Sequence, residues 1–482
     1  MNSTDARPSV ELKICSQCVG DEYLSSEVFK TGVAGTCSYC SKKRGKTWGI
    51  EELADSVERA FSDHFARTPD GPSDYERHRL SDPEDSFIWY RDGDLAVDAI
   101  QQAAGVSYSA ASDVQKLLEE RNCHLDADSI GEETEFGSQT RYERKRPNAA
   151  SWHREWETFE RTIKSKARFF NRTSIEQLSA IFAGVDVLRT STGSQIIVEA
   201  GPASGLTHLF RARVFQSESE LKNALCWPDR ELGAPPAKLA RGGRMNAAGI
   251  SVFYGATEAS TAIAEVRPPV GSRVAVARFE IIRPLRLLDL SSIDKVVDGG
   301  SVFDPTLKGR LERVAFLQTL GSRMSRPVMP SDEAFDYLPT QALADFLGGE
   351  NSPQFDGIIF GSPQSIEGLN VVLFHEAARS TAISVPAGTS LSVNTSVETE
   401  DGPEPDYSVW LDPSMERPPT EDEIALHRFI SNFEGQASRD LRLETLRIVL
   451  ESLEVHHVES VTYGYTSYQV DRIERQSRDW KF

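Results

Sequence analysis

Apolar positions recur at helical spacing through the first third of the chain. Over residues 51–65 they fall at Leu53, Val57, Ala60, Phe61 and Phe65, and over 152–170 at Trp152, Trp156, Phe159 and Ile163. A period of three to four residues places such side chains on one face of a helix. Residues 94–104 and 112–120 read as further helices, with polar loops at 67–86 and 126–148. From about residue 176 the pattern changes to short apolar runs. Residues 195–200, 209–214, 252–254, 273–282, 285–288, 357–360 and 370–374 read as strands, with helices at 309–320 and 341–347 between them. Mixed short strands and helices predict an α+β domain. Residues 386–420 are rich in Ser, Thr, Pro, Glu and Asp and read as a linker. Leu426, Phe429, Ile430 and Phe433, followed by Leu441, Leu446, Ile448, Val449 and Leu453, return to helical spacing and predict a helical tail over 421–482.

Composition changes this picture in two places. With 482 residues the chain is long enough for several domains, and no apolar run reaches the length a membrane helix needs. The first residues lack the apolar core of a signal peptide. A soluble, cytoplasmic protein is expected. The net charge of −20 argues against broad nucleic-acid binding, so no nucleic-acid partner is expected. Arg211, Arg213, Arg241 and Arg244 nonetheless form a basic island in the middle of this acidic chain.

Four of the six cysteines form two Cys-x2-Cys pairs, Cys15/Cys18 and Cys37/Cys40, while Cys123 and Cys226 stand alone. Two such turns can present four thiolates to one tetrahedral ion, which predicts a structural zinc ribbon or knuckle within residues 1–48. The competing reading is a redox pair. Four cysteine ligands would close the shell, so the expected role is structural.

The central stretch carries the chemistry. Gly242-Gly243-Arg244-Met245-Asn246 leads through Val252-Phe253-Tyr254 into a small-residue helix ending near Glu265. An arginine fork matches phosphate oxygens, an aromatic ring can stack on a flat base, and a carboxylate helps where positive charge develops on a sugar. Each residue also has a plainer reading: Arg211 as an edge charge, Arg244 in a surface turn, Tyr254 in the core with its hydroxyl satisfied, Glu265 on a solvated helix face.

This order of residues resembles the RES family, named for its Arg, Glu and Ser residues, whose members consume NAD as toxins of toxin–antitoxin pairs. The resemblance covers roughly residues 205–375. Arg211 in Leu209-Phe210-Arg211-Ala212 looks like the family's first arginine. Gly243-Arg244-Met245-Asn246 looks like its Gly-Arg-Trp-Asn loop with Met245 in place of tryptophan. Tyr254, Glu265 and Ser362 fall where its tyrosine, glutamate and late serine lie, and 370–374 resembles its closing strand.

The resemblance implies a fold of the ADP-ribosyltransferase kind, NAD as substrate, and an antitoxin or regulatory protein as partner. It assigns Arg211, Tyr254, Glu265 and Ser362 to catalysis, and Arg211, Arg244, Asn246 and Tyr254 to binding NAD. Loss of the tryptophan leaves nicotinamide stacking to Tyr254. The reaction is cleavage of the nicotinamide–ribose bond by hydrolysis, phosphorolysis or ADP-ribosyl transfer.

Arg59 and His64 form an Arg-x4-His pair like that of some HEPN-family nucleases, and HEPN-like domains precede RES domains. The expected organisation is therefore multidomain: a zinc ribbon (1–48), an α-helical HEPN-like domain (49–175), a RES-type α+β domain (176–385), a linker (386–420) and a helical tail (421–482). Two alternatives stand beside an NAD-consuming enzyme: a nucleotide sensor without turnover, and a ribonuclease using Arg59 and His64.

Overall fold

The computed structural model describes residues 11–40, 45–82, 84–122, 133–166, 168, 171–326, 328–365, 367–386, 388–400, 402–413 and 440–472. It divides into two compact units, one of residues 1–196 with 292–321 and one of 197–291 with 322–482.

The first unit is mainly helical: α1 (Glu22–Thr31), α2 (Ile50–His64), α3 (Ala96–Ala104), α4 (Tyr108–Asn122), α5 (Ala150–Ser165) and α6 (Arg172–Phe182). Local chemistry sets the helix starts. The Asp21 carboxylate accepts from the amide of Leu24 at the head of α1, and Glu52 accepts from the amide of Gly49 at the head of α2. The apolar stripe of α2, Leu53, Val57, Ala60 and Phe61, is buried as its spacing predicts.

That stripe shares one core with Ile14, Val19, Leu24 and Val28 from the cysteine region, and with Val302 and Leu307 from far along the chain. The cysteine region is therefore not a free-standing ribbon. Its few apolar side chains cannot close a core alone, and they complete the helical one. The unit boundaries likewise differ from those expected, since 176–196 and 292–321 belong with the helices. The expected loop 67–86 contains the helix Asp74–Ser81, and the described part of 126–148 contains the strand Arg141–Arg144. Cys123 lies outside the described residues.

The second unit is built on an eight-stranded sheet. Its strands are β1 (Ile197–Ala200), β2 (His208–Phe215), β3 (Phe253–Ala256), β4 (Arg273–Ile281), β5 (Leu285–Asp289), β6 (Gly357–Gly361) and β7 (Leu369–Leu373), completed by β10 (Leu446–His457). Between β7 and β10, β8 (Thr389–Thr399) and β9 (Gly402–Pro413) pair as an antiparallel hairpin. The sheet order is β10-β4-β2-β3-β7-β6-β5-β1, with β5 and β6 parallel and every other neighbouring pair antiparallel. One face carries a large core around Leu209, Phe253, Phe279, Leu287, Ile359 and Leu373. On the other, α7 (Ala259–Glu265) packs Ala262 against Ala212, Ala256, Val274 and Val276.

Two expectations are corrected here. Residues 386–420 are not a plain linker over their described part. Leu391 and Val393 alternate with polar neighbours, and Leu391 pairs with Leu411 and Val393 with Val409, so the segment is a hairpin. The tail is not helical where it is described. Leu446 and Ile448 point into the sheet core while Arg447 points out, and the strand they define pairs with β4. The helical reading of 421–439 and of 473–482 falls outside the described residues. No helix among the described residues is long and apolar enough to cross a membrane.

Candidate functional site

The Gly243–Asn246 loop is the first half of the site. Asn246 is 3% exposed, and its side-chain amide donates to the carbonyls of Arg241 (2.9 Å) and Ile250 (3.0 Å). Its Oδ1 accepts from the Tyr254 hydroxyl at 3.0 Å, and that hydroxyl in turn accepts from the amide of Met245 at 2.9 Å. A Cβ on Gly243 would lie 2.7 Å from the Tyr254 hydroxyl oxygen, so only glycine allows this approach. Burial pushes the Tyr254 phenol up to about 12, with the Met245 amide and the nearby Arg244 and Arg211 charges opposing it.

Tyr254 and Asn246 are thus committed to the loop. The Asn246 side-chain amide donates only to carbonyls of its own loop. The Tyr254 hydroxyl anchors the loop.

What the loop holds is Arg244. Its Nη1 donates to the main-chain oxygen of Met324 at 2.9 Å, and its guanidinium lies 4.9 Å over the ring of Tyr337. Thr340 donates its hydroxyl to the carbonyl of Arg244, and Gln341 donates to that of Gly243 at 2.8 Å. The stretch 337–341 shares in the resemblance to the RES family, though the sequence assigned none of its residues a role. Met245, 1% exposed, fills core volume where the family's tryptophan would stand.

Arg211 sits on β2 with its guanidinium 4.9 Å over the ring of Phe253, and no hydrogen bond joins it to Tyr254. Its Nη1 is enclosed and has no partner. Burial and the neighbouring Arg213 pull its pKa down to about 10. An enclosed cation without a counter-charge is costly and is the usual mark of a place where a ligand brings the anion.

The second half of the site gathers around Glu265, the last residue of α7. Its Oε1 accepts from the Ser362 hydroxyl and from the Asn370 side-chain amide at 2.8 Å. The Ser362 hydroxyl also accepts from the amide of Gln364 at 3.1 Å, which fixes the turn after β6. The pairing of β3 with β7 sets Tyr254 opposite Val372 and Ala256 opposite Asn370. Tyr254 and Asn370 therefore lie on the same sheet face, two positions apart. The structure joins Glu265 to Ser362 and Arg244 to the Tyr254 loop. Asn370, which the sequence marked as the asparagine of an Asn-x-x-x-Phe closing strand without giving it a role, is the third member of this cluster.

In the first unit the four cysteine sulfurs lie within 4.8 Å of one another, with Cys15–Cys40 at 3.6 Å and Cys18–Cys37 at 3.8 Å. A tetrahedral ion with metal–sulfur bonds of ~2.3 Å has sulfur–sulfur edges of ~3.8 Å, so the set fits a metal ion. Burial pushes the Cys15 and Cys18 thiols up. Burial also acts to raise Cys37, but main-chain donors at Tyr39 and Cys40 prevail and bring it down to about 7.

The Arg59 guanidinium donates within α2, to the Asp55 carbonyl and the Ser56 hydroxyl. Arg59 lines a cleft with Trp48, Ser56 and Asp63 that His64 does not line. Burial holds the His64 imidazole below its usual range.

The RES domain family model matches residues 224–395, and the HEPN/RES N-terminal domain 1 model matches residues 30–177. The chain is a RES-domain protein with an N-terminal HEPN-like region. The RES match contains Arg244, Asn246, Tyr254, Glu265, Ser362 and Asn370 but begins after Arg211. The HEPN match contains Cys37 and Cys40 but not Cys15 and Cys18. No curated protein and no solved structure matches the chain. A RES domain is consistent with NAD-related, toxin-like activity.

Proposed function

We propose that the second unit binds NAD and breaks its nicotinamide–ribose bond, on a frame of the ADP-ribosyltransferase kind. The observation that carries this reading is the Glu265 carboxylate, held from one side only by the Ser362 hydroxyl and the Asn370 amide. Arg211 and Arg244 supply positive charge for the pyrophosphate. Ser362 and Asn370 both occupy Oε1 of Glu265, which leaves Oε2 to face the substrate.

In the reaction the C1′–N bond breaks, its electron pair leaves with nicotinamide, and positive charge develops on the ribose. A fixed carboxylate stabilises that charge, and it costs no reorganisation because its orientation is already set. The acceptor is water, phosphate or a macromolecular nucleophile, which gives up its proton as it bonds to C1′. Tyr254 holds the Arg244 loop, and the half-buried Tyr337 offers an aromatic surface beside that arginine. In the first unit, Cys15, Cys18, Cys37 and Cys40 hold a structural zinc on this reading, and a protein partner of antitoxin type restrains the activity.

Nicotinamide release from NAD by the purified protein, with and without phosphate, tests the reading. Release by the wild type and a loss of at least about a hundredfold in Glu265→Gln are expected. Tight NAD binding with no release would leave a sensor instead.

A further inference from the structure

A second unpartnered cation lies on the same sheet, away from the site above. Arg278 on β4 is flanked by Phe210 on β2 and Val449 on β10. Its main-chain amide is taken by the Ser452 hydroxyl at 2.9 Å, but its guanidinium has no hydrogen bond or ion pair, and Nε is enclosed. The nearest carboxylate on its strand, Glu280, is already engaged. Both Nε and Nη2 of Arg447 donate to Glu280 Oε2, at 3.2 and 2.8 Å. In a chain of net charge −20, a half-buried arginine left without a carboxylate is unusual.

Arg278 opens onto a hollow of about 650 Å³ lined also by Pro202, Thr207, His208, Glu280 and Arg447. His208 pairs with Glu280 across β2 and β4, two residues from Phe210, so its imidazole shares the face of Arg278. Its Nδ1 is bonded to the Thr207 hydroxyl at 3.0 Å, which leaves Nε2 for the hollow. Its ring stands edge-on to Phe210, with centroids 5.4 Å apart. Burial and the Arg278 charge both hold the imidazole below its usual range, so near neutral pH it offers a neutral N–H.

We propose that this hollow is a binding site for a phosphoryl-bearing small molecule, held between the Arg278 guanidinium and His208 Nε2. A planar carboxylate would be satisfied by the arginine fork alone. Donors converging from two strands suit the separated oxygens of a tetrahedral phosphoryl group. The site is distinct from the Glu265 cluster. Arg278, Phe210, Ala256 and Asn370 are successive cross-strand neighbours, which places Arg278 ~14 Å from Asn370 at the usual strand spacing.

Titration of the NAD-free full chain with inorganic phosphate, with adenosine monophosphate and with acetate tests this, read by calorimetry. Saturable binding of a phosphoryl probe is expected, with Arg278→Gln weakening it at least about tenfold. Tighter binding of the nucleotide than of phosphate would identify a nucleotide site, and equal binding a site for the phosphoryl group alone. His208→Asn, at a side chain on the rim of the hollow, gives a second reading if Arg278→Gln fails to fold. Its affinity should fall severalfold. Phosphate binding that survives both substitutions, or that acetate matches, would overturn the proposal.

Discussion

Asn370 donates its side-chain amide to Oε1 of Glu265 at 2.8 Å, the same oxygen that accepts the Ser362 hydroxyl. Two donors on one oxygen fix the rotation of the carboxylate. Strand β7, which carries Asn370, is paired on both edges, by β3 and β6, so the support itself is rigid.

The first prediction concerns that support. Asn370 touches Glu265 and acts through it, so Asn370→Ala should lower kcat by about tenfold with KM little changed. Asn370→Asp would set a carboxylate against a carboxylate and should cost more. Steady-state nicotinamide release measures both. A rise in KM at constant kcat would mean that Asn370 binds substrate and does not orient Glu265.

Arg211 separates stability from binding. Its enclosed Nη1 has no partner, so Arg211→Met removes an uncompensated charge and keeps most of the stem that packs on Phe253. The variant should melt a few degrees higher, on the order of 2–4 °C, while binding NAD at least about tenfold more weakly. Calorimetric melting beside NAD titration checks this. A lower melting temperature would show that Arg211 is a structural residue.

The entry to β10 should be sensitive to acid. The Arg442 guanidinium forks onto Asp440 at 2.6 and 2.8 Å and also donates to the carbonyl of His375 at 2.8 Å. The fork holds the Asp440 carboxyl down at about 2, below its usual range of ~3.9. A carboxyl lowered in the folded state stabilises it above the unfolded value, and that stabilisation fades as pH falls from about 4 towards 2. Wild type should therefore melt above Asp440→Asn at pH 7, and the two curves should converge only as pH falls to about 2. Because Asp440 is partly exposed, the gap at pH 7 should be small.

Metal removal addresses the first unit. Ile14, Val19, Leu24 and Val28 share the core of α2, so loss of the ion should be felt beyond the cysteines. One zinc per chain is expected by elemental analysis. Chelation or Cys37→Ser should lower the melting temperature and loosen the helical signal. A metal-free protein with unchanged melting would favour the redox reading of the cysteine pairs.

Much of this was legible in the sequence, for identifiable reasons. Strands such as β4 and β6 stood out because their apolar runs are short and bounded by Gly, Pro or charge, and α2 because Leu53, Val57, Ala60 and Phe61 keep one phase. Glu265 and Ser362 were legible as a pair of types, but their common partner Asn370 was not, since strand pairing alone brings it there. Tyr254 was read by its ring, whereas its hydroxyl does the binding, to a loop that sequence spacing could not close. The tail was misread because Val449, Leu450 and Leu453 fall at a bulge: β10 shifts register against β4 between Val276 and Arg278. There the two-residue alternation of Leu446 and Ile448 is interrupted and imitates a helical period.

Strand β10 also sets an order of events in synthesis. Its neighbour β4 is made well before it and has β2 available on one edge, but its other edge has no partner until residues 446–457 have been made. In that interval the growing chain carries a bare row of amides and carbonyls beside Val274 and Val276, a template on which strands of other molecules can pair. Messages cut short before that point should yield chains that clump and are cleared, so the cell would meet the finished sheet only from complete translation.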